Sequence, residues 1–225
     1  MKIIFVAGAW GSGTTALAGA LHHLGVATFG PYFRSYDPIT LNTFEWTAFR
    51  DVVLRHTNEY TMSRVSESAS LVSDLRRFRD EVDAGAFGPW PVGKSRNLML
   101  KLPIASICLP EMVEALDPLI IVMHRPFEEI ERTRQRRNWP APFGKKGASI
   151  IYPRLVQDLV NLRKSFLALS YQQLVADTAS TLRLAIDFCG LHELDARLDD
   201  ACRFVRHEAT PGDFRGADPE AFKRQ

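Results

Sequence analysis

Short apolar runs, each of about five residues, recur along the chain and are separated by stretches in which apolar residues return every three or four positions. The first run, Ile3-Ile4-Phe5-Val6-Ala7, is short and β-branched, and the following Ala16, Leu17, Ala18, Ala20, Leu21 and Leu24 fall on one helical face, so a buried strand, a tight loop and a helix are predicted. Gly25 ends that helix, and Val26-Ala27-Thr28-Phe29 reads as a second strand. From Leu41 to about Ala84 the spacing of Phe44, Ala48 and Val52, and of Leu75, Phe78 and Val82, predicts two helices joined near His56 to Ser63, with no strand. Leu98 to Leu102, Leu119 to Met123 and Phe166 to Ser170 are the remaining strands; helices are expected around Glu111 to Ala115, Glu128 to Arg137 and Ser149 to Lys164. Leu174 to Leu191 reads as one amphipathic helix capped by Gly190, followed by a short helix from about Glu193 to Val205.

Strands alternating with helices imply an α/β fold with a central, mostly parallel sheet and helices on both faces. At 225 residues one domain over 1–225 is the simplest organisation, with a polar tail at 211–225. The irregular stretch from Gly30 to Thr40 leaves the carboxyl side of a strand, where such sheets bind ligands.

Chemistry enters at the first loop. Gly8-Ala9-Trp10-Gly11-Ser12-Gly13-Thr14-Thr15 has the G-x-x-x-x-G-K-[ST] spacing of a phosphate loop, except that Thr14 stands at the lysine position. Backbone N–H groups and the positive end of a helix converge at such a turn, which makes it an anion cradle. Nucleoside-triphosphate enzymes use the lysine on the β/γ-phosphates and the next hydroxyl on magnesium. Two threonines without the lysine suit a ligand with less phosphate charge and no metal.

Composition narrows the partners. A net charge of +2 gives no support for a nucleic-acid binder, which would be markedly basic. Cys108, Cys189 and Cys202 lie far apart without C-x-x-C spacing, and read as reduced, buried thiols. Glycines break the apolar start after a few residues, too soon for a secretory signal. No stretch approaches the roughly 20 apolar residues of a membrane helix, so a cytoplasmic protein is expected.

Ser12-Gly13-Thr14-Thr15 behind a first strand resembles the 5′-phosphosulfate loop of sulfotransferases that use 3′-phosphoadenosine 5′-phosphosulfate (PAPS). Two further blocks are similar to that family: Arg125 after a strand with Thr133 eight residues on, and Ser170-Tyr171-Gln172-Gln173-Leu174-Val175-Ala176-Asp177 followed by Thr181-Leu182 and Phe188-Cys189-Gly190-Leu191. The resemblance implies a P-loop-like three-layer fold and transfer of a sulfuryl group from PAPS to a hydroxyl or amine, leaving 3′-phosphoadenosine 5′-phosphate (PAP). It assigns Gly11, Ser12, Gly13, Thr14 and Thr15 to the 5′-phosphosulfate, Arg125 and Thr133 to the 3′-phosphate, and Tyr171 to the adenine. Residues 30–95 are unmatched and become a helical insertion on the acceptor side, the acceptor being a small molecule or carbohydrate.

The chain departs from the family where it matters most. Thr133 replaces serine, Pro126 follows Arg125 at once, Gln172 and Gln173 stand at an acidic pair, and Gly11 holds the place of a lysine or arginine that neutralises the departing phosphate. Lys101, a charge closing an apolar strand, is the candidate to replace that cation. His22, His23, Asp37, Glu45, His56 and His124 could each take the acceptor's proton; Glu45 and Asp37 are favoured because they belong to the acceptor-side stretch. An ATP-dependent small-molecule or nucleotide kinase with a degenerate loop, and a non-catalytic PAP-binding module, stand as alternatives.

Overall fold

The computed structural model describes residues 1–35, 40 and 42–209, and side chains through 205. Its main sheet has the order β4-β1-β5-β6, built from β1 (Lys2–Ala7), β4 (Asn97–Lys101), β5 (Leu119–His124) and β6 (Phe166–Ser170). All three pairings are parallel, with Phe5 opposite both Leu100 and Ile120, and Ile121 opposite Leu167. Four of the five apolar runs that predicted strands are therefore the sheet.

Alternation along β1 sorts its side chains into two cores. Ile3, Phe5 and Ala7 face one cluster, which includes residues of α2 (Thr47–Leu54), α3 (Ser68–Asp83), α4 (Leu109–Leu116) and α6 (Lys145–Leu162). Ile4 and Val6 face the other, with α1 (Thr14–Leu24), α7 (Tyr171–Ala176), α8 (Thr178–Cys189) and α9 (Leu198–Ala209). The three layers follow directly, and both faces of β1 are fully closed from Ile4 to Ala7. No helix among the described residues is long and apolar enough to cross a membrane.

Parallel strands bring their carboxyl ends to one edge. Chain leaves β1 into α1 on one face, whereas β4 runs through a 3-10 turn into α4 on the opposite face before β5. The gap outside β1 is thus the switch point where such sheets hold ligands. The first loop, Lys101, Arg125 and Tyr171 all sit on this edge.

Three expectations of secondary structure are corrected. Val26–Phe29 is not a strand: Ala27 alone bridges Leu98, donating to the Asn97 carbonyl (3.0 Å) and accepting from Met99 N–H (2.8 Å). Between α2 and α3 the chain forms an antiparallel hairpin, β2 (Thr57–Asn58) with β3 (Ser63–Arg64). His56 ties that hairpin to α3 through Ser66 (2.6 Å) and Asp74 (3.0 Å), and the carboxylate of Asp74 is held below its usual range by that bond and by Arg55 and Arg77. Finally, the expected helix over 174–191 is two, because Asp177 accepts from Ser180 N–H (3.1 Å) and caps a new start.

His22 and His23, which tandem spacing on α1 places at the surface, are instead partly covered. His22 lies 5.5 Å from the Phe44 ring, and burial, helped by the Lys94 charge, lowers its pKa to about 3. The unfolded chain binds a proton at this side chain near 6.5 whereas the folded chain does not, so this contribution to stability is lost as pH falls from about 6.5 towards about 3. His22→Gln should therefore lose less stability than the parent between pH 7.5 and pH 5, measured as urea midpoints; an equal loss would rule out His22 as a source.

Candidate functional site

The loop between β1 and α1 is held by its own chain. Gly8 has φ +143°, and a Cβ there would lie 2.6 Å from the Met123 carbonyl, so only glycine fits beneath β5. Gly8 N–H donates to Ser106 Oγ (3.0 Å). Ser12 is fully buried; its hydroxyl (2.7 Å) and its N–H (3.2 Å) both donate to the Ala9 carbonyl, which closes the turn. Ser12 thus shapes the cradle from within. Gly13, at φ +98°, precedes the first turn of α1, whose N–H groups have no intrahelical acceptor.

Gly13 also leaves room for Tyr171, since a Cβ would lie 2.4 Å from Cδ2 of that ring. Tyr171 is delivered there by a capping box: Ser170 Oγ accepts from Gln173 N–H (3.0 Å), and Gln173 Oε1 accepts from Ser170 N–H (3.3 Å). Arg125 lies over the same ring, its guanidinium carbon 4.4 Å from the centroid. Its Nη1 donates to Thr133 Oγ1 (3.2 Å) and to the Gly11 carbonyl (3.5 Å), and its Nε donates to Glu129 (2.8 Å). The eight-residue spacing of Arg125 and Thr133 is one strand end and two turns of α5 (Phe127–Arg136), bringing both beside the loop. Arg125 holds the Glu129 carboxyl below its usual range.

On the other side of the loop a cleft opens, lined by Gly11, Thr14, Thr15, Glu45 and Lys101 together with Trp10, Phe33, Arg50, Glu59, Arg137, Trp139 and Phe143. Lys101 Nζ donates to Glu45 Oε1 at 2.6 Å, and both side chains are more than nine-tenths buried. Glu45 Oε2 lies 3.7 Å from Arg50 Nε, and Arg50 Nη2 reaches both oxygens of Glu59 at 3.0 Å. Four alternating charges therefore run along one wall. Phe33 stacks under Arg50 at 4.1 Å, and Trp10 meets Phe143 at 4.8 Å.

Most of the sequence-derived candidates meet at the switch point, in two groups on either side of the loop: Gly11, Thr14, Thr15, Lys101 and Glu45 at the cleft, and Arg125, Thr133, Gly13 and Tyr171 beside it, with Ser12 buried within the turn. Three of the histidines do not: His22 and His23 lie in the last turn of α1 against Phe44 and Phe204, and His56 is tied to Ser66 and Asp74; His124 ends β5 beside Arg125. Asp37 lies outside the described residues. Arg50, Glu59 and Tyr152 escaped sequence reading. Tyr152 donates to the Met123 carbonyl (3.0 Å) beneath the loop, and burial raises its pKa. Asn58 was the one legible signal for the Glu59 turn, because its Oδ1 accepts from Tyr60 N–H (2.9 Å) and Thr61 N–H (3.1 Å).

No protein-family model matches the chain, and no curated protein matches its sequence. Among solved structures, sulfotransferase STF9 from Mycobacterium avium matches over 96% of this chain and 69% of its own, at TM-score 0.59 and 13% identity. The sulfotransferase domain of the Synechococcus PCC 7002 olefin synthase matches over 84% of this chain and 73% of its own, at TM-score 0.53 and 16% identity. The chain has the sulfotransferase fold. Within it, the P-loop-like turn of residues 8–15 enters α1, and the fold expected from the alternating pattern is the one observed.

Proposed function

We propose that the chain is a PAPS-dependent sulfotransferase acting on the hydroxyl or amine of a small-molecule or carbohydrate acceptor. The observation that carries this reading is Arg125, held by Thr133 and the Gly11 carbonyl against the flank of the phosphate loop. A guanidinium and a hydroxyl there suit a second, separate phosphate, which ATP lacks and PAPS has. The glycine turn fits a phosphate approaching the start of α1, and Thr14 in place of lysine speaks against a triphosphate.

PAPS supplies a sulfuryl group activated by its phosphate leaving group. The first turn of α1, with Gly11, Ser12, Gly13, Thr14 and Thr15, would hold the 5′-phosphosulfate; Arg125 and Thr133 the 3′-phosphate; and the Tyr171 ring the adenine. Lys101 would meet negative charge developing on the leaving oxygen, standing in for the cation missing at Gly11. Glu45 keeps that ammonium in place through its 2.6 Å contact, and remains with Asp37 a candidate for receiving a proton. Trp10, Phe33, Trp139 and Phe143 favour an acceptor with a flat apolar face. Three buried cysteines, far apart in the sequence and without C-x-x-C spacing, fit a reducing compartment, and we place the protein in the cytoplasm.

Calorimetry with PAP, ATP and adenosine 5′-phosphate tests the donor. PAP should bind at least about tenfold more tightly than either, a difference of about 1.4 kcal/mol; ATP binding as well as PAP or better would defeat the reading. The second reading, a PAP-binding module without turnover, is favoured by Gly11 alone and expects PAP binding with no PAPS turnover on any acceptor.

A further inference from the structure

Building on the sulfuryl-transfer reading, we propose that Glu59 is the base that takes the acceptor's proton. Glu59 opens the turn of the β2–β3 hairpin, and that turn lowers its side chain into the cleft shared by Lys101, Thr14 and Thr15. Its side chain is 12% exposed, sheltered from bulk water, and lines the cleft.

The other carboxylate on this wall is worse placed to accept a proton. Glu45 is gripped by Lys101 at 2.6 Å and faces Arg50 at 3.7 Å. A proton on Glu45 would leave the Lys101 ammonium buried without its counter-charge, which is costly. A proton on Glu59 leaves Arg50 still facing Glu45. The charges around Glu59 are Arg50 from α2, Glu45 just before that helix, Lys101 from β4 behind Glu45, and Arg137 across the cleft at the end of α5. Burial and the Glu45 charge raise the Glu59 carboxyl above its ordinary 4.5, against the pull of Arg50. A carboxylate shifted towards the working pH is the better general base.

The step balances. The acceptor's O–H proton passes to a Glu59 oxygen while the acceptor oxygen forms the new O–S bond. The S–O bond to the phosphosulfate donor breaks, and its electron pair stays on the phosphate oxygen beside Lys101. The products are the sulfate ester, PAP and protonated Glu59, which returns its proton to solvent.

The test begins with the free protein. In 13C-glutamate-labelled chain, the carboxyl resonance absent from Glu59→Gln should titrate above 4.5. With PAPS and 2-naphthol as probe acceptor, Glu59→Gln should lower turnover roughly 100-fold or more, and Glu59→Asp should shift the acid limb of the pH–rate profile. PAP affinity of both variants, read by calorimetry, should stay within about twofold of the parent, because Glu59 lies away from the Arg125 side of the loop. A Glu59 resonance titrating at or below 4.5, or full turnover in Glu59→Gln, overturns the assignment while PAP still binds. Failure of PAP to bind the parent overturns the donor reading itself.

Discussion

Lys101→Met should abolish most transfer while leaving PAP binding nearly intact: a drop in kcat of roughly 100- to 1,000-fold, or about 2.7–4 kcal/mol, is the scale for removing one charge-stabilising donor from a transition state. Methionine keeps the length of the stem within β4 and removes only the ammonium. The same substitution also strips Glu45 of its 2.6 Å partner, leaving Arg50 at 3.7 Å as its remaining cation, and breaking a buried pair in this way costs about 3–5 kcal/mol of stability. Rate and stability are separated by adding Glu45→Gln. The double variant should recover most of the lost urea midpoint but none of the lost kcat. If turnover returns together with stability, Lys101 serves the fold and has no part in the reaction.

Arg125→Ala should weaken PAP roughly 100-fold, about 2.8 kcal/mol, with ATP affinity changed far less. Two effects add. The guanidinium no longer meets the 3′-phosphate, and Glu129, which Arg125 engages at 2.8 Å, loses that partner and keeps Arg132 at 3.9 Å, so its negative charge is less balanced beside the place a phosphate would occupy. Arg125→Ala combined with Glu129→Ala should therefore bind PAP more tightly than Arg125→Ala alone, and the cycle measures the repulsion. Equal affinities for PAP in parent and Arg125→Ala would remove the 3′-phosphate assignment.

Much of the sheet and of the loop beside Arg125 was legible because these parts are local. β1, β4, β5 and β6 announce themselves as short apolar runs, since parallel strands covered on both faces need apolar residues at successive positions. The loop is a contiguous pattern, and Arg125 with Thr133 is a fixed spacing along one strand end and one helix. The cleft wall was only half legible: Lys101 and Glu45 stand out in the sequence, whereas Arg50 and Glu59 do not. Hairpin β2–β3 has two residues per strand, too few for any period, and its pairing competes with the helical spacing around it. Glu59 meets Arg50 only through that hairpin, and Lys101 meets Glu45 only through the long return from α2 to β4. Val26–Phe29 misled for the opposite reason: an apolar run at the sheet margin packs without pairing beyond Ala27. The break at Asp177 lay hidden in an otherwise continuous amphipathic stripe, because a side-chain cap leaves no mark on hydrophobic period.

The four-charge wall of the cleft has a consequence for how ions in solution act on the reaction. Lys101, Glu45, Arg50 and Glu59 sum to no net charge, so at long range this wall neither draws in nor repels an anion. On the proposed reading, ionic strength should then leave acceptor KM almost untouched for an uncharged acceptor while weakening PAP capture, whose attraction comes from the other flank of the loop. Salt becomes a probe that tells the two sides of the loop apart without altering a residue.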